Sequence, residues 1–408
     1  MRTVPWGALR GLGPALAAPL EQVLAGAPAD SVLAAFLRAR PDLPGDARAA
    51  AAEAVFGVGL WRRRLRAQLG RDDAPAPLLL GALLRDLGGR ADAEALAGLP
   101  AGALPAPRPP PPTLAERFSL PDWLAEEVRR AAGAEAEALA DALDRPGPIF
   151  LRVNTLRASG EEVAAGLAAE GVATRPGRLA AGCLEVTSPR PNVYALAAHR
   201  SGLVEVQDEG SQLLGAAAGA LPGETVLDAC AGAGGKSLLL AGAVGPGGRV
   251  HCVDPDAERL ARLRARSARA GAGGIVTVHG ATAPDGLLVD RVLVDAPCSE
   301  LGPLRRGPDL RWRLDPAGFA ALPALQRGLV ASALRHVRPG GVLVYATCTF
   351  RAEEDEEVAC AVEAAHPELE RITPPVPAAL LTREGFLRAW PHRHGTDGFF
   401  AAAWRRRA

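Results

Sequence analysis

Lysine is almost missing from this chain: of 46 basic residues, 45 are arginine and the exception is Lys236. A bias toward arginine, alanine, glycine and proline most simply reflects a skewed nucleotide composition. The informative point is therefore the one place without arginine, because a compact ammonium and a planar guanidinium fork are not interchangeable in a tight site. The net charge is formally zero, which excludes a global basic field, although residues 301–340 carry seven arginines against two aspartates and promise local basic surface. The six cysteines show no C-x-x-C or C-x-x-C-H spacing, so reduced thiols are expected rather than a disulfide scaffold. No metal is expected either: His251-Cys252 has no matching second pair of ligands and reads as strand packing. No run of eighteen apolar residues occurs, and the Ala/Leu/Pro-rich start is broken by Arg10, Pro14 and Pro19. Neither a membrane span nor a signal peptide is expected, and the chain reads as cytoplasmic.

At 408 residues with 48% hydrophobic and 23% charged, the chain suits a globular protein of two to three domains. Residues 1–104 read as helical, with apolar spacing in Ser31–Leu37 and Ala49–Leu69. In Pro105–Pro112 only Ala106 and Arg108 are not proline, which marks a stiff linker at 105–112. Residues 113–205 read as a small α+β module, with strands at Ile149–Val153 and Cys183–Val186 around a helix at Glu161–Glu170. Residues 206–408 alternate strand and helix, as a parallel sheet flanked by helices requires. The expected strands are Thr225–Asp228, Arg249–Asp254, Ile275–His279, Val292–Asp295 and Val342–Tyr345. The expected helices run to Ala243 and over Asp256–Ala270, Phe319–Val337 and Glu353–Ala365. Phe386–Trp390 and Phe399–Trp404 should close as a hairpin.

Two of the strands stop just before a thiol, in Asp295-Ala-Pro-Cys298 and Tyr345-Ala-Thr-Cys348. Reacting groups gather at the carboxyl edge of an open α/β sheet, so both cysteines and Asp295 are candidate catalytic residues. The loop Cys230-Ala231-Gly232-Ala233-Gly234-Gly235-Lys236 follows a strand, but Cys230 stands where a phosphate-binding P-loop needs its first glycine. A nucleoside-cofactor loop fits better, with Asp254 ending the next strand where it can accept bonds from ribose hydroxyls. Arg305-Arg306-Gly-Pro-Asp309-Leu-Arg311-Trp312-Arg313 mixes cations with an indole and reads as a loop that can hold phosphates and stack a base, or as plain solvated surface. For most of the acidic run Glu353–Glu357, favourable placement at a helix N-terminus is explanation enough.

Taken in order, Asp228–Lys236, Asp295–Ser299, Arg305–Trp312, Tyr345–Thr349 and Asp397-Gly-Phe-Phe400 resemble the Nop/Sun family of RNA 5-methylcytosine methyltransferases. The likeness extends upstream through Leu151–Asn154 and Gln207–Ser211. Helical residues 30–70, with Phe56-Gly-Val-Gly-Leu-Trp61, are similar to the NusB-type RNA-binding domain of the bacterial small-subunit ribosomal RNA enzymes in that family. The resemblance implies a class I methyltransferase domain of Rossmann-like α/β fold, with a mostly parallel seven-stranded sheet, behind the α+β module and the helical domain. It implies S-adenosyl-L-methionine as cofactor and an RNA cytosine, in small-subunit ribosomal RNA, as acceptor, with no membrane, no metal and a monomer. Carried over, Cys348 adds to cytosine C6, Cys298 serves release of the enzyme, and Asp295 bonds at N3 and near the cofactor. Residues Cys230–Lys236 would wrap the methionine part and Asp254 would hold the ribose. Three positions depart from the family: Ala233 and Ala352 replace prolines, and Ala281 replaces an aspartate at the adenine end, with Asp285 near enough to compensate. A non-catalytic RNA-binding factor and a transfer-RNA enzyme are the alternatives.

Overall fold

A computed structural model describes residues 4–189, 191–307 and 309–408. The chain divides into two compact units: residues 1–146 together with 304–316, and residues 147–303 together with 317–408.

The first unit is helical. Its longest helix, Gly45–Leu69, starts after Pro44 with Asp46 in the first turn and stops at Gly70. There φ is +65°, and the amides of Gly70 and Arg71 bond back to Ala67 and Arg66, closing a Schellman turn. Val55, Val58 and Leu65 from this helix join Leu20, Val32, Phe36, Leu79, Leu80 and Leu84 from its neighbours in one core. Helices Asp122–Ala132 and Ala136–Asp144 complete the unit with the far segment 304–316.

That segment corrects an expectation. Arg311 is neither solvated nor facing a ligand: it is fully buried, and its guanidinium donates to Asp144 Oδ1 (2.6 Å), to the Leu143 carbonyl (3.0 Å) and to the Phe118 carbonyl (3.3 Å). Trp312 lies under the Arg62 guanidinium at 4.8 Å. Asp309 accepts from the Ala29 amide (3.2 Å) and so caps the helix Ala29–Arg38. The basic surface implied by the arginine count is correspondingly smaller.

The second unit holds two sheets. Strands β1 (Phe150–Val153), β2 (Thr174–Pro176), β3 (Cys183–Val186) and β4 (Val204–Val206) form an antiparallel sheet in the order β2-β3-β1-β4. The helix Gly160–Ala169 within it begins on a capping box between Ser159 and Glu162. The larger sheet contains β5 (Thr225–Asp228), β6 (Arg249–Cys252), β7 (Val276–Val278), β8 (Val289–Asp295), β9 (Val337–Thr347), β10 (Leu369–Ile372), β11 (Leu387–Ala389) and β12 (Phe399–Arg406). Its order is β10-β12-β9-β8-β5-β6-β7; β7 to β9 pair in parallel, and β12 runs antiparallel to β9. The short β11 shares the outer edge of β12 with β10, so the described sheet has eight strands rather than seven.

Val337, expected to end a helix, instead opens β9 beside Val289, and the helix before it covers Leu322–Leu334 after a 3₁₀ turn at Pro316–Ala321. That helical stretch, Pro316–Leu334, is long and apolar enough to cross a membrane, with a mean hydropathy of 1.2. Its Val330, Ala333 and Leu334 pack with Val292 and Val294 of β8 in the core on one face of the sheet.

Candidate active site at the carboxyl edge of the sheet

The parallel strands β5, β6, β8 and β9 end at Asp228, Cys252, Asp295 and Thr347, and their register sets Asp295 beside Ala346. Their following loops wall a cavity of about 660 Å³. Of the residues singled out in the sequence, Cys230, Ala231, Gly232, Ala233, Gly235, Lys236, Asp254, Asp295, Cys298 and Cys348 line it. Gly234 does not, and its role is conformational. Its φ is +87°, and a β-carbon there would come within 2.7 Å of Leu263, so the loop can turn into the helix Gly235–Val244 only with glycine.

Asp254 accepts from the Gly232 amide (2.9 Å) and the Asp256 amide (2.8 Å), which fixes the glycine loop while each oxygen keeps a further acceptor position. Behind the loop, Asp228 accepts from the Ser237 hydroxyl (2.7 Å), and burial pushes its carboxyl up to about 6. The lone lysine meets Asp295, with Nζ to Oδ2 at 2.6 Å. Burial disfavours the ammonium, but the Asp295 charge and hydrogen bond outweigh that and raise its pKa.

The two thiols are in contact, Cys298 Sγ to Cys348 Sγ at 3.3 Å, and the Cys348 amide donates to the Cys298 sulfur at 3.4 Å. Hydrogen bonding to Cys348, then burial, hold Cys298 well above an ordinary thiol pKa. Burial also raises Cys230, Cys252 and Cys183, which keeps these thiols protonated. All six cysteines are free.

Ala281 lines this cavity and also a neighbouring one of about 350 Å³, whose wall includes Thr282 and Asp285. Asp285, the carboxylate expected to compensate for Ala281, therefore lines the neighbouring cavity and not this one. His251 and His279 stack at 5.2 Å with Nδ1 to Nε2 at 2.9 Å, and no group of three metal-ligating side chains occurs among the described residues.

The expectation missed most of the support beneath the thiols. The helix after Cys348 begins at Glu356, so Glu354 and Asp355 lie before it and are buried rather than displayed at its N-terminus. Glu354 accepts from the Ser299 amide, and Asp355 accepts from the Thr347 hydroxyl and from Arg388 (2.6 Å). Burial pushes the Asp355 carboxyl up to about 7 against the pull of Arg388. The spacing of an acidic helix start cannot reveal this, because the partners lie 8 to 55 residues away. Leu325, Leu329, Arg259 and Glu300 on the cavity wall were likewise without a sequence signal.

Residues 219–405 match the family model for 16S rRNA methyltransferase RsmB/F, and residues 120–193 match that for the ferredoxin-like domain of RsmF/B-like methyltransferases. A Mycobacterium tuberculosis protein named only as a methyltransferase is 41% identical over 66% of this chain, and the match spans 62% of that relative's length. A Synechocystis protein named "Probable ribosomal RNA small subunit methyltransferase B" is 34% identical over 71% of this chain and 67% of its own. The crystal structure of PH0851 superposes with a TM-score of 0.79 and 26% identity, covering 100% of both chains.

Proposed function

Because this chain belongs to the RsmB/F methyltransferase family, we propose that it transfers a methyl group from S-adenosyl-L-methionine to C5 of a cytosine in small-subunit ribosomal RNA. The observation that carries this reading is the pair of thiols in contact and the Lys236–Asp295 ion pair, which line one cavity together with the glycine cradle.

The cradle fits the cofactor. Gly232 has open space where a β-carbon would stand, and the acceptors Asp254 and Asp295 suit a nucleoside that carries an amino-acid arm and a cationic sulfonium. Cys230–Lys236 and Asp254 would hold that molecule, which supplies an activated methyl group when bound. The chain's own residues do the rest. Cytosine C5 is a poor nucleophile until Cys348 adds through sulfur to C6, which breaks the ring's aromaticity and leaves C5 enamine-like. Asp295 would bond at the N3 side of the base, and Lys236 offsets charge in the same pocket. Cys298, after giving its own proton to solvent, then takes the C5 proton, and the C6–S bond breaks with its electron pair returning to the Cys348 sulfur.

The contact between the thiols gives that order a physical basis. Cys298 is held protonated chiefly by its hydrogen bond to Cys348, with burial next and the Cys348 charge third. Once Cys348 is bonded to carbon it carries no charge and is a weak acceptor, so two of these three influences lapse at the step that needs a base. Such chemistry requires an unstacked or flipped nucleotide. The helical residues 1–104 are the proposed RNA-binding part, and the expected partner is RNA alone, with the chain acting as a cytoplasmic monomer.

The test is transfer of labelled methyl groups to ribosomal and transfer RNA pools lacking their native modification, followed by digestion to nucleosides. Label in 5-methylcytidine of small-subunit RNA is expected. Label only in transfer RNA would redirect the substrate, and no label together with no cofactor binding would favour a non-catalytic RNA-binding factor.

A further inference from the structure

We propose that Glu354 and Gln326 are positioning residues that clamp the Cys298 loop, set its spacing from Cys348 and thereby control release of the methylated product. This inference rests on the proposed succession of the two thiols and goes beyond it by naming what holds them.

Both side chains are fully buried, and neither is on the cavity wall, so they act on substrate only through other groups. Gln326 Nε2 donates to the Pro297 carbonyl (3.0 Å), while Glu354 Oε2 accepts from the Ser299 amide (2.9 Å). The residues on either side of Cys298 are thus gripped by one pair of side chains, themselves joined by Gln326 Nε2 to Glu354 Oε2 at 3.0 Å. Arg351 closes the other carboxylate oxygen at 3.1 Å. A second tie, Ser299 Oγ to Thr349 Oγ1 at 2.8 Å, links the residue after one cysteine to the residue after the other.

The loop needs such a grip. Glu300 sits at φ +56°, one of two non-glycine residues with positive φ among those described, and a backbone of that kind persists only where its surroundings over-determine it. A carboxylate is the group that meets three donors at once; an amide in its place must turn an NH₂ toward at least one of them. Glu354→Gln keeps the size and spoils the pattern. Gln326→Leu removes both hydrogen bonds that Gln326 makes, and the loss of an amide oxygen that is buried without a partner offsets part of that cost.

The experiment compares these two variants with the unaltered enzyme in four readouts: melting temperature, S-adenosylhomocysteine binding, steady-state methyl transfer with trapping of denaturation-resistant protein–RNA adduct, and iodoacetamide alkylation of each thiol against pH without RNA. Expected are a modestly lower melting temperature with both variants folded, unchanged ligand binding, kcat lower by roughly 10–100-fold with KM for RNA within about twofold, and accumulated adduct. The pH profile of Cys298 alkylation should shift while adduct formation by Cys348 persists. Wild-type turnover and adduct levels in folded variants would overturn the clamp, as would lost turnover without adduct. Absence of methyl transfer by the unaltered enzyme would sink the catalytic reading; the alkylation profiles would then decide the clamp alone, an unmoved Cys298 profile refuting it and a shifted one supporting it.

Discussion

Two ion pairs of equal length teach different lessons. Arg311–Asp144 in the helical unit and Lys236–Asp295 in the sheet unit both span 2.6 Å, and both join a basic residue that follows a glycine-containing loop to an aspartate far away in sequence. The first pair is sealed, with side chains 0% and 3% exposed, and the two guanidinium amino groups also donate to the Phe118 and Leu143 carbonyls. The second opens on a cavity, with side chains 12% and 28% exposed, and has two thiols for neighbours. A sealed pair has nothing to act on, so its consequence is confined to folding. A pair open to a cavity is available to a ligand, and the proposed function gives its charge a part in the chemistry.

The largest contrast should come from breaking each pair. Arg311→Met leaves a buried carboxylate without its cation, and urea denaturation should show a loss of about 3–5 kcal/mol near neutral pH. Lys236→Met should leave the denaturation midpoint nearly unchanged while methyl transfer falls by roughly 10²–10³-fold, the scale for losing one preorganised electrostatic group. Replacing both partners of the sealed pair, Arg311→Met with Asp144→Leu, should restore most of the lost stability, because apolar groups satisfy a closed interior. The corresponding double change at Lys236 and Asp295 should restore no activity.

The smallest effect is on pH dependence. Burial pushes the Asp144 carboxyl up to about 6 from an ordinary 3.8, even against the Arg311 charge. Folding therefore favours its protonated form: its contribution is full below about 4 and is lost as pH rises through about 6. Asp228 and Asp355 shift in the same direction, so only the difference between variants isolates Asp144. Asp144→Asn should flatten part of the decline in denaturation midpoint between pH 4 and 7, and an identical slope would refute the assignment.

The same two pairs mark the reach of sequence reading. Strands Thr225–Asp228 and Cys183–Val186 were legible to the residue, because short β-branched and apolar runs ended at turn residues. The thiols, the glycine loop and Asp254 were legible as one site because a parallel sheet brings its strand ends together whatever the side chains. The fate of Arg311 was not, since whether an arginine is solvated or buried depends on a carboxylate 167 residues earlier. Glu354 failed for the same reason: an acidic residue near a helix start looks sufficient by itself, and the Ser299 amide that uses it is 55 residues distant. Val337 slipped from helix to strand because its pairing with Val289 outweighs a weak local preference, and the three-residue β11 was too short to be counted.

The central claim is the division of labour between the two touching thiols, and covalent trapping tests it most directly. The Cys298→Ala and Cys348→Ala variants would each be incubated with unmodified small-subunit RNA and S-adenosyl-L-methionine, denatured, and resolved for protein–RNA adduct. Adduct accumulating in Cys298→Ala and absent from Cys348→Ala is the predicted result; equal amounts in both, or the reverse order, would contradict it.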